Sequence, residues 1–534
     1  MKNKFIVLTI ALLGLVSSCS DAYDIVQDGE RNHSEQVYKD ANDVESGINA
    51  IYESIPAETE VEFASTFTDE ISLGISNGGQ GLISGEYGFR MDPGNAYAAA
   101  IWNGYYALIN RVNRLEVIAK KLQSEDVAAN KTKYDDSLAE LYVLRAYAHY
   151  KLFSYFTPDY TNPNGLSVIN LDHVPPLDYK YSLGRNTVAE VVKFIEDDLK
   201  LATDLRNAGW RDSDYVNADV MNAIRVKLYA MTGNWDGVLE YGQLVLGKIH
   251  LAKPDDYLKI FPRDLTLAAD IETPSTELVF QLKRTANNGG SVAAAWYSGN
   301  VSKNGSPFYQ MGRSLYNELD ALDPSLEGEV FKSRNDVRYE VNLDDESEVQ
   351  TNYESLSQGD YASDILLIGK YQGINASGAV LRNSIPLIRS TDILLAMAEA
   401  RAARGELPAS STDPDDLVDD YSSVYSILYT VRFYRSNDFS KIVMPTINNQ
   451  KDAFNAILKE RRVEFAFEGQ RYLDMKRLGV KAGSEGFTRY SKDCFRNGAC
   501  NLPVDDHRMT LPIPVTEMNG NVIVRSEGQQ NPGY

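Results

Sequence analysis

Long apolar runs are scarce in this chain of 534 residues; the one clear example, residues 5–16, is too short to cross a bilayer and follows Lys2 and Lys4. Basic residues are outnumbered 53 to 75 by acidic ones, giving a formal charge of −22. A chain so charged repels nucleic acid and anionic membrane surfaces, which excludes both as partners by bulk electrostatics. The five histidines are isolated from one another, and the cysteines number three. Motifs of catalysis are missing too: no HExxH, no nucleophile elbow and no Walker loop. Gly79, Gly81 and Gly85 have the wrong spacing for a dinucleotide fingerprint, and no helical pattern begins directly after them. Glycan hydrolysis needs two carboxylates on opposite sides of a sugar, and no motif singles out such a pair among 75 acidic residues. The reading is therefore non-enzymatic, with no catalytic residue.

Tyrosine, by contrast, is abundant at 33. Its apolar ring and polar tip suit both helix packing and wet binding surfaces. Amphipathic helical patterns run over residues 41–55, 98–122, 137–156, 187–205 and 218–231. Gly233, Asn234 and Trp235 then turn the chain into a further helix over 235–246, a helix-turn-helix similar to a tetratricopeptide repeat. Residues 389–404, turning at Gly405, resemble another such first helix, with its partner helices beyond Val424. The fold class expected is mostly α: a tetratricopeptide-like scaffold interrupted by a loop-rich insertion over about 260–387. Within it, residues 277–283 are the best strand candidate. Residues 63–74 read as alternation passing into turn residues, and 76–95 as an exposed loop.

Residues 451–479 organise the rest. Arg461, Glu464, Glu468 and Arg471 follow one another at helical steps of three and four, which lines them on one face as two opposite-charge pairs. Gly469 inside that pattern marks a close backbone approach or a break between two helices. In order, Glu460, Arg461, Arg462, Glu464, Phe467, Glu468, Gly469, Arg471, Asp474 and Arg477 resemble the C-terminal signature of the SusD/RagB family. Leu511, Pro512, Ile513, Pro514 and Glu517, then residues 530–534, resemble the family's closing segment. Trp102, Tyr106, Ile109 and Asn113 are similar to its pattern in an early helix, and Arg145, Ala146 and Tyr150 to that in the next. The resemblance implies one SusD-like domain over 39–534, with its signature region at 451–534 and the charged helix belonging to the scaffold. It also implies a lipid-anchored outer-membrane protein that captures a nutrient, usually an oligosaccharide, for a SusC-like TonB-dependent transporter.

The N-terminus agrees with that implication. Val16, Ser17, Ser18 and Cys19 look like a lipobox, so residues 1–18 read as a signal peptide and 19–38 as a tether lipidated on Cys19. Ser20, Asp21 and Asp24 resemble the acidic export signal of surface lipoproteins. For sugar capture, an aromatic face packs on the C–H side of a pyranose while polar groups bond its hydroxyls. Trp296, Tyr297 and Tyr309 are the expected platform, on the glycine-rich stretch 287–312, with Asp69 and Arg90 as polar partners and Trp102 at the start of its helix. A peptide or an acidic sugar is the alternative ligand, the latter favoured if Arg90 faces the site; a surface glycan hydrolase is the second alternative. Cys494 and Cys500 suggest a local disulfide, with zinc beside His507 as the rival reading. No cofactor is expected; Asp413, Asp415 and Asp416 offer clustered oxygens for a structural calcium or form a solvated acidic loop. His149 reads as a packed scaffold residue.

Overall fold

The computed structural model describes residues 37–74, 77–79, 85–176, 178, 181–206, 214–262, 275–284, 292, 296, 307–323, 334–372, 374–376 and 379–534. The signal peptide, Cys19 and most of the tether lie outside them, as does Tyr297.

Helices dominate the first half: α1 (Ala41–Glu53), α2 (Ala57–Phe67), then strand β1 (Ile71–Leu73), α3 (Ala96–Glu125), α4 (Lys131–Phe156), α5 (Val188–Leu205), α6 (Ala218–Thr232) and α7 (Trp235–Leu246). Their starts are written in side chains that satisfy the free N–H groups of the first turn. Asp40 caps α1, Asn95 caps α3, Asn217 caps α6, and Thr187 with Glu190 forms a reciprocal capping box at α5. Helix α3 packs on α4, α4 on α5, and α6 on α7. The stretch 63–74 departs from the sequence expectation, because it begins inside α2. That helix buries Ala57, Glu60, Val61 and every residue from Phe63 to Phe67, so its polar face shrinks to Glu58, Thr59 and Glu62, too short to print a helical period.

The second half brings α8 (Pro254–Ile260), β2 (Leu278–Leu282), β3 (Tyr309–Met311), α9 (Arg313–Asp320), α10 (Val337–Asn342), β4 (Ile374–Ala376), β5 (Ala379–Arg382), β6 (Ile385–Arg389), α11 (Ser390–Arg404), α12 (Val424–Arg435), α13 (Gln450–Glu464) and α14 (Arg471–Ala482). The stretch expected to be loop-rich therefore carries short helices and antiparallel strand pairs. Strand β2, the candidate at 277–283, pairs with β6, and β3 reaches back to β1 with Leu73 opposite Tyr309. The first pairing brings the two ends of the insertion together beside α11, and the second ties its middle to the segment after α2. Helix α11 packs on α7 and α6, and on α12 and α13. A Cβ on Gly242 would come within 2.6 Å of Met397 Sδ, so the glycine is what allows α7 to seat on α11.

Gly469 does both things expected of it. It adopts φ 78° in the turn between α13 and α14, and its α-carbon faces the Val61 backbone of α2. A side chain there would be strained by the left-handed backbone.

The C-terminal end of α4 is closed by cations that have carbonyl partners in place of carboxylates. Arg185 donates to Ser167 O, Phe156 O and Gln529 O and to the Asn531 side chain. Asn531 also donates to Phe156 O at 2.9 Å, across 375 residues of sequence. Lys476 donates to Ser154 O at 3.0 Å and Thr157 O at 2.8 Å. Burial pushes the Lys476 ammonium well below the usual lysine range and Arg185 down to about 10. Both sit where the last carbonyls of a helix concentrate negative potential. His149, inside α4, hydrogen-bonds Arg145 O through Nδ1 and accepts from Leu171 N at Nε2, and burial lowers its pKa to about 4. It is a neutral packing residue.

Candidate functional site: an acidic aromatic patch

The signature charges of α13 and α14 are buried and committed. Glu464 takes Arg338, Arg389 and Arg435 at 3.2, 2.6 and 2.8 Å. Glu468 takes Lys370 at 2.7 Å and Arg389 at 2.9 Å. Arg461 pairs with Asp392 and Asp474, both at 2.8 Å, and Arg471 with Asp69 at 2.8 Å. The two pairs expected along one helix face are thus replaced by partners from other elements, since the break at Gly469 turns the second half of the face away. Burial would raise the Glu464 carboxyl, but Arg435, Arg389 and Arg338 together hold it well below the usual range.

Three expected ligand residues belong to this interior. Asp69 is buried; although burial opposes ionisation, Arg462 and Arg471 hold its carboxylate charged, so it is an ion-pair partner and not a sugar contact. Trp102 is 1 % exposed, edge-on to Phe156, and donates Nε1–H to Glu517 at 3.2 Å. Trp296 is fully buried with its ring centroid 5.7 Å from that of Phe467, so it cannot offer a stacking face. The surrounding glycines suggested exposure; the apolar partner lies 171 positions further along the sequence. The Trp296 backbone has a different use: its carbonyl accepts from Phe308 N at 2.8 Å and Tyr309 N at 3.1 Å. Arg90 is exposed beside the short helical turn Glu86–Gly88. Residues 76–95 are not simply an exposed loop, because Tyr87 and Phe89 are buried under the Arg489 guanidinium, 4.1 Å from each ring.

Tyr309 does lie in an accessible cluster. It is half-buried, edge-on to Phe308 at 4.7 Å, and held opposite Leu73 by the β1–β3 pairing. The Asn95 cap places Tyr97 in the first turn of α3, where its ring lies 6.0 Å from Phe63. Asn95 also donates to Glu86 at 2.7 Å. The Tyr97 hydroxyl is raised well above the tyrosine range by burial, then by the negative charge of the nearby Glu62 and Glu86 carboxylates. Burial and the same two carboxylates push Tyr309 up to about 12. Glu62, Glu86, Tyr97 and Tyr309 therefore face one another, and neither glutamate has an ion-pair partner among the described residues. The patch offers aromatic faces for C–H groups and carboxylates for hydroxyl donors. Sequence reasoning missed Glu62, Glu86, Asn95 and Tyr97; the asparagine ahead of the α3 pattern was the available signal.

Other expected features find local uses. Cys494 and Cys500 form a disulfide with Cα atoms 5.1 Å apart, which removes both from any zinc site with His507. The His507 ring packs on Tyr534 at 4.8 Å. Asp413 accepts from Asp415 N and Asp416 from Ser411, with all three aspartates exposed.

Residues 273–534 match the family model described as "SusD family", and residues 28–218 match that described as "Starch-binding associating with outer membrane". The chain belongs to the SusD family. A SusD-like protein P2 from Formosa agariphila is 22% identical, over 100% of this chain and 99% of that protein. Among solved structures, a SusD superfamily protein from Bacteroides thetaiotaomicron is similar with a TM-score of 0.68 at 20% identity, covering 92% of this chain and 100% of its own. A laminarin-binding SusD-like protein is similar with a TM-score of 0.62 at 19% identity, covering 93% of this chain and 100% of its own. The helical-repeat scaffold with short sheets is thus the SusD fold.

Proposed function

We propose that this SusD-family chain captures a glycan at the outer membrane and passes it to a TonB-dependent transporter without cleaving it. The observation that carries the reading is the Tyr97, Phe308 and Tyr309 cluster beside Glu62 and Glu86. Family membership, the starch-binding description of one matched model and the laminarin-binding relative support it. Two carboxylates without a counter-ion weigh against an acidic sugar and favour a neutral one that donates hydroxyl hydrogens. A lipid on Cys19 would hold the protein at the membrane, in keeping with the outer-membrane description of that model. Calorimetry with neutral glucans, starch and laminarin oligosaccharides among them, tests capture, the expected result being binding that Tyr97→Ala and Tyr309→Ala weaken. Co-purification with a transporter from a membrane carrying both tests delivery.

Hydrolysis is the second reading, and the same two glutamates motivate it, since paired carboxylates cleave glycosidic bonds. Release of new reducing ends from a glycan panel, lost in Glu62→Gln or Glu86→Gln, would replace capture with catalysis. Unchanged glycans after prolonged incubation are the expected outcome.

A further inference from the structure

A second cavity, independent of the glycan reading, opens on another face of α3. It has a volume of about 440 Å³ and lies between α3, residues 169–175 and 181–183, and a short helix α15 (Val515–Gly520). Tyr106 follows Tyr97 by nine residues, half a revolution around α3 and roughly 13 Å along it, so the cavity and the acidic patch face opposite ways. Its walls are largely apolar: Tyr106, Tyr181, Leu183, Pro175 and Ile169. Among the described residues of its lining, Glu517 is the one that carries a charge.

That glutamate is fixed but not neutralised. One carboxylate oxygen accepts Trp102 Nε1–H at 3.2 Å, the other Asn521 Nδ2–H at 2.7 Å, and it has no cation partner among the described residues. Arg185, the nearby cation that Tyr106 senses, spends its guanidinium on the carbonyls of Ser167, Phe156 and Gln529 and on Asn531. Each carboxylate oxygen keeps acceptor capacity. The tyrosines are held as well. The Tyr106 hydroxyl donates to Ile169 O at 2.9 Å and accepts from Ile169 N at 2.8 Å, while that of Tyr181 is tied to the His173 ring. Their hydroxyls are thus occupied locally, leaving the ring surfaces for contact.

We infer that this cavity binds an organic cation, an ammonium or guanidinium group on an apolar stem or ring, with Glu517 as its counter-ion and Tyr106 and Tyr181 as its walls. A charge brought into an apolar cavity needs a partner of opposite sign, and aromatic rings favour cations at close range. Uncharged ligands of the same shape gain only the contact with the walls. An amino sugar and a lysine or arginine side chain share the required chemistry.

The mature chain is titrated with glucosamine, Nα-acetyl-lysine amide and Nα-acetyl-arginine amide, and with glucose and Nα-acetyl-norleucine amide as uncharged counterparts. Trp102 fluorescence reports the site directly, because its indole bonds Glu517. At least one cationic probe is expected to bind tenfold or more tightly than its counterpart, and which one identifies the source. Glu517→Gln should remove that discrimination. Tyr181→Ala, remote from the Trp102 bond, should weaken the cationic probe about tenfold and serves if Glu517→Gln does not fold. Glu62→Gln with Glu86→Gln should leave it unchanged. Equal affinity for charged and uncharged probes, no binding by any of them, or loss of discrimination only in the Glu62 and Glu86 variant would overturn the proposal.

Discussion

Two groups of glutamates separate the functions of this molecule. In α13 and the turn after it, Glu460, Glu464 and Glu468 each meet two or more cations, and the first two are sealed from water. Across the fold, Glu62 and Glu86 meet tyrosines and an asparagine, with no cation partner among the described residues, and stay partly open to solvent. Burying an ion pair is costly in desolvation and tolerable only when its hydrogen bonds are completed, so the first group secures a unique arrangement of helices. Carboxylates left without counter-ions beside aromatic faces have capacity to spare for a ligand. What distinguishes scaffold from site here is the neighbour, not the residue type.

The sharpest break of that contrast is Glu464→Ala. Removing it takes one carboxylate from a buried cluster in which Arg338 keeps Asp336 and Glu460, Arg389 keeps Glu277 and Glu468, and Arg435 keeps Glu277, and so leaves an excess of buried positive charge at a cost of roughly 3–5 kcal/mol. Urea unfolding should show the loss, and an unaltered midpoint would move the cluster out of the scaffold. Trp296→Ala should cost about as much, roughly 3–5 kcal/mol, because it empties a buried site against Phe467. It should also weaken any glycan binding, because the buried ring anchors the backbone carbonyl to which Phe308 N and Tyr309 N donate. Lost binding in a protein of unchanged melting temperature would instead return Trp296 to the ligand.

Glu70 sharpens the comparison, being a buried glutamate whose direct hydrogen-bond partners are neutral. It accepts from Phe467 N at 3.0 Å and Ser65 Oγ at 3.2 Å, and burial pushes its carboxyl up to about 7 from an ordinary 4.5. As pH rises from 4.5 the unfolded chain loses this proton first, so the native state binds more protons and stability falls until the pH passes about 7. Glu70→Gln should therefore stabilise by about 3 kcal/mol above pH 7, the gain fading below about pH 5. Parallel unfolding curves for mutant and wild type across that range would contradict the assignment. The smallest effect is expected at the patch: Tyr309→Ala should weaken glycan binding by about 1–2 kcal/mol, like a modest aromatic anchor, with little change in melting temperature. Calorimetry and melting read on one sample decide it.

The repeat helices were legible because their caps and periods are local. Asn217 starts α6, and Gly233 and Gly405 end α6 and α11 in left-handed turns. Helix α2 was not, because its polar stripe is only Glu58, Thr59 and Glu62 in the first half of a helix otherwise buried. The signature charges were recognisable by order, yet their partners were misassigned: Arg461 reaches Asp392, 69 positions away, and no spacing rule reports on that. The site was half legible for the same reason. Tyr309 was named, but Glu62 and Tyr97 join it only after β1 and β3 have paired.

The closure of α4 sets an order of events during synthesis. Phe156 and the Asn531 that caps it are made far apart in time, so the helix emerges from the ribosome hundreds of residues before Asn531 can reach its last carbonyl. Until then Arg185 alone can serve Phe156 O, and the early helices form a nascent unit that is folded in outline but half latched. A stop codon just before Gln529 would spare every repeat helix and the patch, yet it would release a chain whose first half never receives its clasp.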